Sequence, residues 1–214
     1  MTKLVDLSMP LSAASIPVPG HPIPRFQVLH ELERDGVRNT LVTISLHTAT
    51  HVDAPSHFIA DGATIDEIPV ERFDRPGVRI DLTPTAPGKA IGSAELERAG
   101  FDPAAAKDAI LLLATGWTDR AWRTEELYGA HPYLMLDAAE AISAAGPSAL
   151  GLDFAVDRAK PWPNHSVLLG AGVLLIENLM GLAALPADGF TVRAFPLRIA
   201  GENGAPARVI AEIP

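Results

Sequence analysis

The stretch NTLVTISLHTATHVDAPSHF, residues 39–58, sets three histidines and an aspartate within eleven positions of a chain that holds only seven histidines. Up to Asp53 it alternates in the manner of a strand. Val42, Ile44 and Leu46 fall on one face, and Ser45, His47, Ala49, His51 and Asp53 on the other. A flat strand advances about 3.3 Å per residue, which would set the Cα atoms of His47 and His51 about 13 Å apart. That is close to the limit at which two imidazoles reach one ion with bonds of about 2.1 Å. A bend or bulge at 48–50 is therefore expected, where the small Ala49 is tolerable. Ala54 precedes Pro55, so the strand ends there and carries His57 into a loop near the mouth of the site.

A lone histidine is most simply a surface or core residue. The pattern His-x3-His-x-Asp-x3-His is different in a chain without cysteine, where His, Asp and Glu are the only strong metal ligands, and it points to metal binding. A metal site usually draws a further ligand from elsewhere in the fold. The segment NHSVLLGAGVLLIENL, residues 164–179, offers His165 beside an expected helix start and Glu177 at the end of an apolar run. Glu177 either faces a cavity from a sheet edge or opens a further helix as a first-turn acid.

Outward from these segments, 214 residues with 48% hydrophobic content, dispersed rather than blocked, fit one soluble globular domain, 1–214. The absence of cysteine excludes disulfides and thiolate nucleophiles and makes a reducing cytoplasm the easier location. Asp6 and Ser8 interrupt the N-terminal segment, so no signal peptide is expected. Runs such as AGVLLI fall far short of the ~20 apolar residues that span a bilayer. A net charge of −9 without a basic cluster argues against nucleic acid as a partner.

Short apolar, β-branched runs bounded by Gly, Pro or Asp recur through the chain: KLVDL, FQVL, LVTISL, VRIDL, AILLLA, SALGLDF, VLLIE, FTVRAFPLRI and ARVIAEI. Helices are fewer. One is expected over 93–99, opening on Ser93 and stopping at Gly100, and one over 137–145, opening on Asp137 and stopping at Gly146. A third starts near Asn164 and a fourth near Asn178. Many strands with a few short helices indicate a mixed-sheet α/β or α+β domain. No GxGxxG, Walker A or GxSxG stretch supports nucleotide binding or serine-hydrolase chemistry.

HTATHVDAPSHF resembles the HxGTHxDxPxH motif of the cyclase family of metal-dependent hydrolases, whose members include bacterial kynurenine formamidases and isatin hydrolases. The likeness runs nearly the whole chain. It takes in PVPGHP, LLLATGW, GAHPYL, ALGLDF, the 164–179 block with its twelve-residue His-to-Glu spacing, and FPLRIAGENGAPARVIA. The resemblance implies the family's swivelling β/β/α fold with a few short helices, and a homo-oligomer, dimer or tetramer. It implies that His47, His51 and Asp53 bind one metal and that Asp53 bridges to a second completed by His165. Glu177 would contact one or both ions. The ion would be zinc, or alternatively manganese, with one or two per chain.

The resemblance gives His57 the acid/base position. Three departures stand out: Ala49 replaces the usual glycine, Val18 replaces a substrate-contacting aromatic, and Phe154 and Val156 replace a more polar DTPSxD pattern. The substrate pocket is thus expected to differ while the metal apparatus is kept.

The implied chemistry is hydrolysis of an amide, lactam or ester of a small molecule through a metal-bound hydroxide. His57 would accept the water's proton and return it to the leaving group. His57 as an additional metal ligand is the competing reading. His21 and Phe58, with Val18, are expected to line the substrate pocket. His131 is a pocket or interface residue and His30 a solvated one. Trp117, Trp122 and Trp162 are core or oligomer contacts. A metal-dependent cyclase or dehydratase, and a non-catalytic metal-binding relative, are the alternative functions.

Overall fold

The computed structural model describes all residues, 1–214. Its strands are β1 (Lys3–Asp6), β2 (Arg25–His30), β3 (Asn39–Thr43), β4 (His51–Asp53), β5 (Asp74–Asp81), β6 (Ala90–Ile91), β7 (Ile110–Ala114), β8 (Tyr133–Leu134), β9 (Ala149–Leu152), β10 (Leu174–Glu177), β11 (Phe190–Pro196) and β12 (Gly204–Ile213). The helices are short: α1 (Leu32–Asp35), α2 (Ser93–Arg98), α3 (Pro103–Ala106), α4 (Trp117–Ala121), α5 (Glu126–Gly129), α6 (Leu136–Ala145) and α7 (Pro163–Gly170). This is the mixed α/β architecture the strand-rich sequence calls for.

Eight strands form one sheet in the order β1-β12-β11-β5-β7-β9-β10-β4, and β4 also pairs with β12. That extra pairing closes the sheet into a ring, with β1 hanging from β12. The strands β5, β7, β9 and β10 run parallel, and the other junctions of the ring are antiparallel. Strand β7 is apolar at every position because both of its faces are covered. Ile110, Leu112 and Ala114 point to the core inside the ring, while Leu111 and Leu113 point to the core beneath the helices. Each such leucine contributes about 1.5–3 kcal/mol by leaving water.

The helices follow the apolar signal more closely than the capping signal. Helix α6 buries Ala138, Ala139, Ile142 and Ala145, and it ends on Gly146 in the left-handed conformation, as expected of a helix stop. Its start differs from the expectation. Asp137 lies inside the first turn, and its carboxylate accepts from the amide and hydroxyl of Ser93. Asp137 therefore caps α2 across space, while Gly92 occupies the N-cap position that Ser93 was expected to fill. Helix α7 forms where Asn164 predicts it. No helix starts at Asn178, which adopts φ +59 after the end of β10 and is followed by the bridging residue Leu179.

The strand expected to run without interruption to Asp53 is broken. β3 stops at Thr43 and pairs only with β2, in a separate two-stranded arm, and β4 begins anew at His51 in the closed sheet. Between them the chain turns through Ala49, at φ +59. The expected bend at 48–50 is thus present, but as a change of sheet rather than a bulge. Ile44, Ser45 and Leu46 consequently do not lie on alternating faces of one strand with His51 and Asp53.

Candidate metal centre

Ala49 is the pivot of the histidine segment. Its carbonyl is approached by His51 Nδ1 at 2.8 Å and by the Asn178 side-chain amide at 2.9 Å. A carbonyl only accepts, so His51 carries its proton on Nδ1 and presents Nε2 inward. That Nε2 lies 3.1 Å from Asp53 Oδ1 and 3.9 Å from Glu177 Oε2. Thr50 ties the same turn down: its hydroxyl donates to the carbonyl of Asn178 and accepts from the amide of Met9.

The turn brings the rings of His47 and His51 to 5.1 Å, far closer than a straight strand allows. His47 Nδ1 meets Asp53 Oδ1 at 2.7 Å, and its Nε2 meets Asn203 Oδ1 at 2.6 Å. Glu177 ends β10, inside the sheet between β9 and β4 rather than at an edge, and accepts the amide of Val156. His165 is the third residue of α7 and points Nε2 at the same carboxylates, 3.8 Å from Asp53 Oδ2 and 3.9 Å from Glu177 Oε1. The three histidines expected as ligands thus converge on the two expected carboxylates, Asp53 and Glu177. Asp53 belongs both to a His47–Asp53–His57 group and to a His51–Asp53–Glu177 group.

His57 follows Pro55 in a single 3-10 turn, as the proline foretells, and returns toward the cluster. Its ring stacks on that of His47 with centroids 3.9 Å apart, and it groups with His47 and Asp53 as a set of donors that could hold an ion. Phe58 packs edge-on to His57 at 4.8 Å, stacks on His165 at 4.6 Å and meets Trp162 at 6.0 Å, so it walls one side. His21 stands 6.4 Å from His47 on the other side. Val18 supports it: the Val18 carbonyl accepts the His21 amide and closes the turn. His131 is buried and bonded to the carbonyl of Pro132, and His30 is exposed. Trp117 is core, whereas Trp162 is 38% exposed at the rim beside Phe58. Phe154 and Val156 are buried in the apolar core beneath the helices.

Sequence reasoning passes over three supports of the cluster. Asp157 holds His165, Asn203 holds His47, and Gly204 lets β12 approach. A Cβ on Gly204 would lie 2.7 Å from the Val52 carbonyl oxygen and 2.9 Å from His47 Cε1. The pattern around Asp157, an acid shortly before the helix-opening PNH, carried a signal that a cap-based reading can find. Asn203 lies 156 residues from His47, and although Asn203 and Gly204 fall in FPLRIAGENGAPARVIA, no local pattern ties them to the histidines.

The electrostatics fit a cation. Asp53 and Glu177 are buried, and Asp53 Oδ2 has no hydrogen-bond partner although it is shielded from solvent. A buried carboxylate oxygen left unpaired is costly unless a positive charge faces it. Burial disfavours charge on His51, but Asp53 and Glu177 outweigh it and raise its pKa to about 9. His165 is raised likewise against its burial, by Asp157, Glu177 and Asp53. Burial also opposes ionisation of Asp53, yet the neighbouring imidazoles hold its carboxyl well below the usual range. Protons on imidazoles thus stand where a divalent ion would neutralise the same carboxylates, through nitrogen and oxygen donors that suit it. His57 differs: burial, with the histidines around it, lowers its pKa to about 4 despite Asp53.

Residues 5–158 match the family model described as putative cyclase. A kynurenine formamidase of Bacillus cereus is 30% identical over 213 residues, covering 98% of this chain and 97% of its own. Isatin hydrolase A from Labrenzia aggregata, bound to benzyl benzoate, superposes with a TM-score of 0.85 at 27% identity, over 99% of this chain and 94% of that one. A solved structure described as a potential metal-dependent hydrolase with cyclase activity superposes at 0.81 with 25% identity, over 100% and 99% of the two chains. With the histidine–carboxylate cluster at its centre and likeness over its full length, the chain belongs to the putative cyclase family, among its metal-dependent hydrolases.

Proposed function

We propose that this chain, as one domain over 1–214, opens the C–N bond of a small non-peptide amide or lactam, with esters as a further substrate class. His47, His51, Asp53, His165 and Glu177 hold zinc, or alternatively manganese, and His57 moves the proton. The observation that carries this reading is Asp53. One buried carboxylate lies between two sets of imidazoles, with Oδ1 toward His47 and His51 and the unpaired Oδ2 toward His165. That placement would let Asp53 offer either carboxylate oxygen to a divalent ion held with these imidazoles.

When bound, a divalent ion supplies Lewis acidity, acidifying water and polarising a carbonyl. His57, neutral at pH 7 because burial lowers its pKa to about 4, has a free lone pair with which to take a proton from water. The imidazolium so formed returns that proton to the leaving nitrogen. Its stack on His47 keeps the ring beside the ligands during both transfers. Phe58 keeps bulk water from that side, and His21, held by the Val18 turn, faces the substrate across from it.

The kynurenine formamidase relatives and isatin hydrolase neighbours support an amide or lactam substrate. The protein works as a cytoplasmic homo-oligomer, dimer or tetramer, on a small molecule. No helix is long and apolar enough to cross a membrane. The test is to purify the protein, count metal per chain, and screen N-formyl anilines, isatin-like lactams and lactones with and without chelator. Chelator-sensitive hydrolysis with at least one tightly held ion per chain is expected. Less than one ion per chain, with no chelator-sensitive turnover of any of these, overturns the proposal.

A further inference from the structure

Ala49 and Asn178 are both left-handed, at φ +59, and neither is glycine. A residue with a Cβ is disfavoured there, alanine more than asparagine. Such outliers persist only where the surroundings over-determine them, and they gather at functional sites. Each stands where a ligand-bearing segment turns, Ala49 midway between His47 and His51 and Asn178 directly after Glu177. The two buried residues also hold each other. Asn178 Nδ2 donates to the Ala49 carbonyl at 2.9 Å, and the hydroxyl of Thr50 donates back to the Asn178 carbonyl at 2.7 Å.

A further member reaches this clasp from the helical layer. Tyr128, half-buried on α5, sends its hydroxyl to Asn178 Oδ1 at 3.2 Å. The Ala49 carbonyl fixes every direction in the chain. It only accepts, so Asn178 turns its NH2 toward it and leaves Oδ1 for Tyr128, whose hydroxyl must then donate. The Nδ1–H of His51 shares the same carbonyl at 2.8 Å. Three hydrogen bonds thus run without a break from the phenol to the imidazole, through a buried region where such bonds reinforce one another.

We propose, on the metal reading of the cluster given above, that Tyr128 and Asn178 are positioning residues for His51. They hold the Ala49 carbonyl where it fixes the imidazole with Nε2 toward Asp53 and Glu177. The ring of Tyr128 packs on the apolar core beneath the helices, and a phenylalanine ring fills the same space. The hydroxyl is therefore spare as far as packing goes. Without it Asn178 Oδ1 is left buried and unpaired, and the amide loses the contact that sets its orientation. The Ala49 turn then loses its hold on the ligand, while the strands on either side of it keep their pairings.

The experiment measures zinc affinity, by competition against a chelator, for the full-length protein and its Y128F, N178A and Y128F/N178A variants. Thermal unfolding of each zinc-free form accompanies it. Y128F should bind zinc about 10-fold more weakly. Its zinc-free form should still unfold within about 4 °C of the unaltered protein, the shift that one lost hydrogen bond brings in a chain of this length. N178A should lose about 10–100-fold in affinity. The double variant should bind no more weakly than N178A, because Tyr128 acts through Asn178. Y128F with unaltered zinc affinity overturns the proposal, whatever its Tm, and decides alone if N178A fails to fold. Losses that multiply in the double variant overturn it too, since the two residues would then act independently. An unaltered protein that holds no zinc overturns the metal site itself, a result distinct from either of these.

Discussion

Asp157 grips His165 behind the histidine–carboxylate cluster: its Oδ2 meets His165 Nδ1 at 2.7 Å and accepts the His165 amide at 3.1 Å, while Oδ1 accepts the amide of Asn164. One carboxylate thus caps the first turn of α7 and fixes which nitrogen of His165 faces Asp53 and Glu177. A carboxylate behind a ligand histidine sets its tautomer and raises its basicity. Replacing Asp157 with Asn keeps an acceptor for the helix but removes the charge. We expect metal affinity to fall about 10–100-fold with little change in Tm, read by competition against a chelator. Asp157→Ala should also lose about 1 kcal/mol of stability with the cap. Unchanged affinity in D157N would show that the carboxylate serves the helix alone.

Metal binding should release protons. His51 keeps its proton to about pH 9 in the metal-free protein, above its ordinary 6.5, because Asp53 and Glu177 outweigh its burial. An ion taken up at pH 7 must displace that proton, so affinity should climb from pH 6 to about 9 and then level. Calorimetry in buffers of different ionisation enthalpy should count about one or more protons released per chain at pH 7. The linkage has a second consequence for the metal-free protein. A raised histidine pKa stabilises the fold fully below pH 6.5, and this contribution is lost as pH rises through about 9. The Tm gained on adding metal should therefore widen with pH over that interval.

His57→Ala distinguishes the two roles open to this imidazole. As the proton carrier, its loss should lower kcat by about 10²–10⁴-fold while metal content stays level. If metal is lost in step with activity, His57 is a ligand and the proton must travel through another group.

Gly204→Ala tests how tightly β12 is set against the cluster. The added Cβ would meet the Val52 carbonyl oxygen, a backbone atom, at 2.7 Å and His47 Cε1 at 2.9 Å. Neither can yield without moving β4 or His47, so destabilisation of about 1–3 kcal/mol is expected. Metal affinity should fall with it. A variant of unaltered Tm and metal content would mean that β12 shifts freely at that point.

Phe58→Ala should act on the pocket rather than the ion. Its ring covers His57 and His165, and its removal opens that wall to water. KM for an aryl amide should rise several-fold with metal content unchanged, measured by steady-state kinetics on the metal-loaded protein.

Much of this architecture is legible along the chain because strands buried on both faces must be apolar throughout. AILLLA and VLLIE announce β7 and β10 for that reason. The bend at 48–50 is legible too, since on a flat strand His47 and His51 stand close to the limit at which two imidazoles reach one ion. The alternation through residues 39–53 misleads, because a period of two is the same in a free arm as in a closed sheet. It contains no sign that the chain changes sheets after Thr43. Asn178 misleads similarly: a polar residue after an apolar run reads as a helix cap, but its side chain is committed to Ala49 across the sheet.

The sequence by itself determines the donor set, three histidines and an aspartate in one segment with His165 and Glu177 in another, because donor chemistry belongs to residue types and spacing. The family resemblance follows from the same residues. Only the tertiary structure decides that Asp53 is the shared centre, that Asp157 and Asn203 orient His165 and His47, and that residues 25–43 leave the body. Those relationships depend on pairings such as β4 with β10 and β12, made between segments more than a hundred residues apart. A local pattern encodes which groups are available, and sheet closure decides which of them meet.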